Sequence, residues 1–297
     1  MITNLIQLLV SGVAMGAIYT LSAMGLFVTH LATNRLNFGQ GEFLMVSAFL
    51  SMSLLLAGVS TVLVFPLVLL ASGLMGWALE RFFVRPLDRF EARGTSYAWI
   101  LTTAGVALIL QNVVELIWGN STQYSPPLFS SAEDNVVALF GVGFFIEEIA
   151  LVAIAVAVIA LFYIFLLRSR WGDEIYAVAF EPDTARLLGI NVKRVVVMVF
   201  VAASMLAGIS GILVGPIISV HPHMGLIFTV KALAVVVIGG FGNPIGILIA
   251  GFAFGITEAF SNYFDSAFGD LYPLIFVLVF LVLRPDGLYR EKRTDVR

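Results

Sequence analysis

The sequence predicts an all-α membrane protein, a polytopic bundle of about nine transmembrane segments in one domain covering residues 1–297. Three observations carry that expectation. Of the residues, 60% are hydrophobic and only 12% charged, against roughly 45–50% and about 25% in a soluble domain. Apolar runs near the 20 residues needed to cross a hydrocarbon core of about 30 Å recur along the whole chain. The basic residues fall almost entirely in alternate loops, as the positive-inside rule requires. A spanning barrel would instead alternate over segments of about 10 residues.

The segments lie at roughly 5–31, 42–57, 60–80, 95–118, 147–167, 193–215, 227–240, 246–262 and 270–284. The first 34 residues hold no Lys or Arg, so the positive n-region of a cleavable signal peptide is missing and the first segment is expected to remain a helix. With the N-terminus outside, residues 32–41, 81–94, 168–194, 241–245 and the tail from Arg284 lie inside. These stretches carry 15 of the 16 Lys and Arg: Arg35, Arg81, Arg85, Arg89, Arg93, Arg168, Arg170, Arg186, Lys193, Arg194, Arg284, Arg290, Lys292, Arg293 and Arg297. The outer loops 119–146, 216–226 and 263–269 have none and carry Glu133, Asp134 and Asp265, with Glu147, Glu148 and Asp270 at their edges. Trp99 and Trp118 bracket the fourth segment, about 29 Å apart at 1.5 Å per residue, one at each interface.

Two segments are interrupted. "NRLNFGQGE" precedes 42–57 and "GGFGNPIG" follows 227–240. Broken helices at membrane depth need protein or a water-lined cavity to satisfy their backbone, and such breaks in both halves point to a transport pathway; a kink or tight helical hairpin is the structural alternative. Gly12-xxx-Gly16 and Gly208-xx-Gly211-xxx-Gly215 offer small-residue faces for close helix packing.

Much chemistry is excluded. Cys is absent, so thiolate metal sites and disulfides are impossible. None of the three Lys is followed by Ser or Thr, so a phosphate-binding P-loop cannot form. His-Glu-xx-His and Gly-x-Ser-x-Gly are also missing, and the His221-Pro222-His223 pair has no third ligand nearby. The chain is expected not to be an enzyme and to hold no metal or cofactor. Nothing in it suggests nucleic acid.

Ionisable groups within the segments cost at least about 2.5–3.5 kcal/mol and usually face a cavity or a partner. Lys231, Glu258 and Glu115 are such groups, and Gln111 shares a helix face with Glu115 four residues on. They read either as a polar lining for a small zwitterionic or anionic solute, or as structural: a buried pair such as Lys231 with Glu258, or side chains reaching an interface.

Residues 174–191, "EIYAVAFEPDTARLLGIN", are polar and regularly punctuated between two apolar spans. Pro182 suits a first helical position, Glu181 and Asp183 suit a positive helix end, and Gly189 suits a helix stop. Ala185, Leu188 and Ile190 mark one apolar face, with Arg186 on the wetter side. Lipid-lying helices are rich in Lys and Arg; this one leans acidic, which favours docking into a partner's groove.

Several stretches together resemble the membrane permease subunits of branched-chain amino acid-type ABC importers. They are "GVAMGAIYTLSAMGLFVTH", "LNFGQGEFL", "ARLLGINVKRVVVMVFVAASMLAGISGILVGP", "MGLIFTVKALAVVVIGGFGNPIGILIAGFAFGITEA" and "LVLRPDGLY". The resemblance implies a bacterial inner-membrane protein working beside a second, related permease. It also implies two cytoplasmic ATPase subunits that bind the ATP, and a periplasmic solute-binding protein. It makes the loop at about 172–192 the coupling loop, with Glu181, Pro182, Asp183, Ala185, Arg186, Leu188 and Gly189 contacting an ATPase. It places Asn37, Gln40 and Glu42, and the segment around Lys231, on interrupted helices of the translocation path, with Glu258, Gln111 and Glu115 as further polar candidates. The family commonly has His where this chain has Gln40 and Ala where it has Gly39, so a His-specific role does not carry over. Its solutes include branched-chain amino acids, urea, short amides and other small carboxylates. A self-sufficient secondary transporter using Glu115, Glu258 and Lys231 as a proton relay is the main rival.

Overall fold

The computed structural model describes residues 2–87, 98–130, 135–139, 142–265, 269, 271–284 and 287–288. Arg89, Arg93, Glu133, Asp134, Asp270, Arg290, Lys292, Arg293 and Arg297, together with positions 95–97 of the fourth expected segment, lie outside the described residues.

Eleven α-helices are described. They are α1 (Ile2–Thr33), α2 (Gln40–Leu56), α3 (Thr61–Ala78), α4 (Ala98–Trp118), α5 (Ile146–Arg168), α6 (Arg170–Phe180), α7 (Pro182–Leu187), α8 (Val192–Val214), α9 (Met224–Gly239), α10 (Pro244–Phe264) and α11 (Leu271–Leu283). Helices occupy all nine expected places. Six of them, α1, α3, α4, α5, α8 and α10, are long and apolar enough to cross a membrane, whereas α2, α9 and α11 are shorter. Of these three, α2 and α9 adjoin the two interruptions, and α11 is short among the described residues.

Two local features lie within this all-α architecture. Val136–Leu139 (β1) pairs antiparallel with Val142–Phe145 (β2), Val136 opposite Phe145. A bridge between Gln123 and Val220 then ties this long loop to the α8–α9 loop. At the other end of α3 the helix widens into a π-turn over Leu79–Val84 and tightens into a 3-10 turn at Arg85–Leu87. There buried Glu80 takes two hydrogen bonds from Arg85, Nε at 3.0 Å and Nη2 at 2.9 Å, a bidentate pairing that neutralises both charges.

The core is built on α1, α2, α8, α9 and α10. With lipid outside, burial gives helices little drive to associate, so backbones approach through small residues. Along α1 and α10, a Cβ added at Gly255 would overlap the backbone at Gly12 and Gly16. Gly208 lies against Ser72 of α3, and Gly211 against Leu44 and Ser47 of α2. The expected small-residue faces are thus helix contacts. Large apolar side chains on α3, α4, α5 and α11 stay exposed, among them Leu70, Leu116, Leu161 and Val282, as a lipid-facing rim requires. Trp118 is held inward: its indole N–H donates to Ser53 Oγ at 2.7 Å and its ring lies 5.4 Å from Phe49. Trp99 stacks on Phe38 at 6.2 Å.

Candidate functional site

The interruption between α1 and α2 runs from exposed Asn34 into the bundle, where Asn37 and Gly39 are buried. Residues 34–39 leave helical geometry, and Gly39 N–H donates to Asn37 Oδ1 at 3.0 Å. Gln40 then opens α2 and reaches across to α8, its Nε2 donating to Ala203 O at 2.9 Å. Gly41 packs on the first turn of α9 so closely that a Cβ there would overlap Gly225 O. Its N–H donates to Thr229 Oγ1 at 2.9 Å, and that hydroxyl donates to Gly225 O at 3.1 Å. The bare backbone of Gly225 in turn faces the Glu42 carboxylate. Asn37 and Glu42 are 2% exposed and Gln40 is fully buried, yet Asn37 Nδ2, Gln40 Oε1 and Glu42 Oε2 have no hydrogen-bond partner. Buried polar atoms without partners are rare and costly, and they concentrate here at the break.

A second cluster joins α1, α9 and α10. Lys231 Nζ lies 2.9 Å from Glu258 Oε1, with both side chains close to buried. Tyr19 hydroxyl donates to the same oxygen at 2.9 Å and accepts from Lys231 Nζ at 3.3 Å. The Tyr19 ring is flanked by Phe228 at 5.6 Å and Phe254 at 5.5 Å. Of the two sequence readings of Lys231 and Glu258, the geometry places them as an ion pair. Tyr19 was not singled out from sequence, although a lone phenol within the apolar run of α1 was the available signal.

A third group sits near the C-terminal end of α4. Gln111 Nε2 lies 3.5 Å from Glu115 Oε1 and contacts His223 Nδ1 directly; His223 Nε2 is 3.6 Å from Glu115 Oε1. The helix-face pairing of Gln111 with Glu115 is present, with His223 as an unanticipated third member. Among the described residues no group of three or more His, Asp or Glu is arranged to hold a metal.

The polar loop forms two helices. Ser169 Oγ caps α6 by accepting from Gly172 N–H at 3.0 Å, and Gly172, Ile175 and Val178 turn one face inward. Glu181 breaks the helix in an extended conformation, and Pro182 opens α7 at a position where its missing N–H costs nothing. At the far end Ile190 N–H donates to Ala185 O and Gly189 N–H to Arg186 O, both at 3.0 Å. This is a Schellman stop, and it needs the positive φ of +86° that Gly189 supplies. Arg186 Nη1 donates to Asp183 Oδ1 at 2.7 Å on the exposed face.

One expectation about this loop is corrected. Ala185 and Leu188 do not share an outward apolar face, because Ala185 is 2% exposed and anchors α7 inward. The outward apolar side chains are Leu187 at 88%, Leu188 at 75% and Phe180 at 78% exposed. Leu187 and Phe180 escaped the sequence reading because Glu181 resets the helical phase between α6 and α7.

Comparison with known proteins agrees with this architecture. Residues 8–283 match the family described as the branched-chain amino acid transport system / permease component. The chain is 28% identical over 305 residues to the high-affinity branched-chain amino acid transport system permease protein BraD of Pseudomonas aeruginosa, covering 97% of this chain and 96% of BraD. Over 307 residues it is also 28% identical to the corresponding protein LivH of Escherichia coli K12, covering 95% and 94%. A solved structure, PsaBC from Streptococcus pneumoniae in complex with Fab, superposes with a TM-score of 0.54 at 10% identity, covering 97% of this chain and 98% of that one; that likeness shows the fold. The chain belongs to the family of branched-chain amino acid transport system permease components.

Proposed function

We propose that the chain is the membrane-spanning permease subunit of an ABC importer that moves branched-chain or related amino acids across the inner membrane. It works as half of a heterodimer, is driven by two separate ATPase subunits that bind the ATP, and receives solute from a periplasmic binding protein. The observation that carries this reading is the family match over residues 8–283, in a chain whose core holds an interrupted helix and whose polar loop forms a self-contained helix.

In this reading nine helices cross, the N-terminus lies outside and the C-terminus inside. Helix α7 is the coupling helix, and Leu187, Leu188 and Phe180 enter the ATPase groove. Glu181, Pro182, Asp183, Ala185, Arg186 and Gly189 give the helix its ends and its anchor. Asn37, Gln40 and Glu42 form the polar break against which α9 moves. Lys231 and Glu258 neutralise one another and hold α9 to α10 beside the path, while Gln111 and Glu115 stand with His223 nearer its outer mouth. Closure of the ATPases pushes α7, and the bundle rocks between outward and inward access.

The test is reconstitution of the complete five-component transporter in proteoliposomes. Labelled leucine should accumulate only with ATP, and excess isoleucine or valine should compete while urea does not. Leucine accumulation by this chain without ATPases, driven by a proton gradient, would establish the secondary-transporter rival instead.

A further inference from the structure

A narrow groove of about 320 Å3 runs along the rim of the bundle between α5 and α8. Its walls are apolar: Phe162 and Phe165 of α5, Ala202, Met205 and Ile209 of α8, and Leu69 of α3. The groove exists because these helices stay apart. Helix α5 packs on α1 and α6, and α8 on α1, α2 and α3, with little backbone contact between α5 and α8. Along α5 the groove covers Val158 to Phe165, about 10 Å at 1.5 Å per residue, so it is only about 6 Å across, against about 10 Å for a helix with its side chains. A hydrocarbon chain fits inside it and a protein helix does not.

One end of this groove is basic. Helical spacing puts Arg168 on the face of α5 that carries Leu161 and Phe165, and Arg194 on the face of α8 that carries Ala202 and Met205. The Arg194 guanidinium lies over the Trp171 ring, 4.7 Å from its centroid, so the starts of α6 and α8 meet at this mouth. Arg170 and Lys193 are their neighbours in sequence. All four bases are exposed, and among the described residues none is paired with an acid. An apolar slot one chain wide that ends in unpaired cations and an interfacial Trp is complementary to a phospholipid. The slot takes an acyl chain, Trp171 stands at headgroup level, and guanidinium groups donate to phosphate oxygens. A zwitterionic headgroup brings its own ammonium against four bases, so the charge selects an anionic lipid.

We infer that the α5–α8 groove and its basic mouth bind one anionic phospholipid of the inner leaflet, an acyl chain lying along Phe162 and Phe165 and the phosphate held between Arg168 and Arg194. This rests on the importer reading above for the orientation that puts the mouth inside. The bound lipid bridges the end of α5 and the start of α8, the two helices that flank the polar loop bearing α7. It thereby fills the gap that the protein leaves between them.

The experiment titrates phosphatidylglycerol into the complete transporter in neutral detergent and counts retained lipid by native mass spectrometry. Phosphatidylcholine is the zwitterionic control, and glycerol phosphate supplies the headgroup without chains. The wild type should retain phosphatidylglycerol over phosphatidylcholine, and glycerol phosphate should not displace it. Arg168→Gln with Arg194→Gln should weaken retention about 30-fold. Leu161→Trp, which fills the groove from an exposed position, should abolish retention with the bases intact and melting unchanged. Unchanged retention in either variant overturns the inference, since the lipid would then be held by charge alone or by apolar contact alone. Equal retention of phosphatidylcholine, or displacement by glycerol phosphate, overturns it as well. Loss of the ATPases from the Arg168→Gln and Arg194→Gln variant with lipid retained assigns the patch to an ATPase instead. All of these leave the importer reading intact. Labelling of Lys193→Cys from the outside, whatever the lipid result, defeats the orientation of that reading and the inner-leaflet assignment with it.

Discussion

The start of α2 and the short helix α7 are both places where the chain stops and restarts a helix, and they manage the break in opposite ways. At α2 the break is closed by tertiary contact. Gly41 lies against Gly225 and Thr229, Gln40 crosses to Ala203, and polar atoms of Asn37, Gln40 and Glu42 remain unpaired in the interior. At α7 the break is closed by the local backbone, through Pro182 at one end and the Gly189 stop at the other, while Leu187 and Leu188 face outward. The first break is sensitive to volume and buried charge. The second is sensitive to what meets its exposed leucines and, on its inner side, to the buried Ala185 anchor.

The largest expected effect lies beside the buried break, at the ion pair. Lys231→Met leaves Glu258 and the Tyr19 hydroxyl without their cation in a nearly dry site, and removal of one partner of a buried pair costs about 3–5 kcal/mol. The melting temperature in detergent should fall steeply, and Lys231→Met with Glu258→Gln should recover a large part of it. A double variant no more stable than Lys231→Met alone would mean that the pair does not hold α9 to α10.

Next comes Gly41→Ala. The added methyl meets a backbone carbonyl, which cannot rotate away as a flexible side chain would, so overpacking should cost up to about 3 kcal/mol. Size-exclusion profiles and melting curves read this directly. Wild-type stability would show that α2 and α9 can separate without cost, and the contrast with α7 would collapse.

The third effect separates the two sides of α7. Leu188→Asp and Leu187→Asp should reduce ATPase co-purification about tenfold, the loss of one interface anchor worth about 1.4 kcal/mol, with melting unchanged. Ala185→Asp places a carboxylate at a buried site and should lower the melting temperature as well. If the exposed leucines lower stability and leave co-purification intact, α7 is packed rather than docked.

The contrast also explains what was legible in sequence. Helix α7 announces itself because its determinants are local: Pro182 and Gly189 fix its ends whatever surrounds it. Its outward side was misassigned at Ala185, since burial there depends on α6 and α8, and Glu181 shifts the phase. At α2 the motif marked the break, but the carbonyls and hydroxyls that meet it come from positions 203, 225 and 229, and no periodicity reports them. Lys231 with Glu258 was one of two open readings, because residues 27 apart meet only once the α9–α10 turn is known. The pairing of 136–139 with 142–145 was missed for a similar reason: neither short strand alternates apolar with polar residues.

The smallest expected effect concerns the loop leading into α9, whose first turn closes the break at α2. Burial and the neighbouring His223 hold His221 below its ordinary value of 6.5. A His whose folded pKa is depressed contributes stability that is complete above the unfolded value and is lost as pH falls through the folded one. The N-terminal end of α9 should therefore be stable at pH 7 and above, and should loosen progressively below about pH 6.5 as His221 takes up its proton. His221→Asn should flatten that slope in hydrogen exchange of the 216–226 loop, leaving exchange in α7 untouched. A slope that survives His221→Asn would show that His221 is not the titrating group.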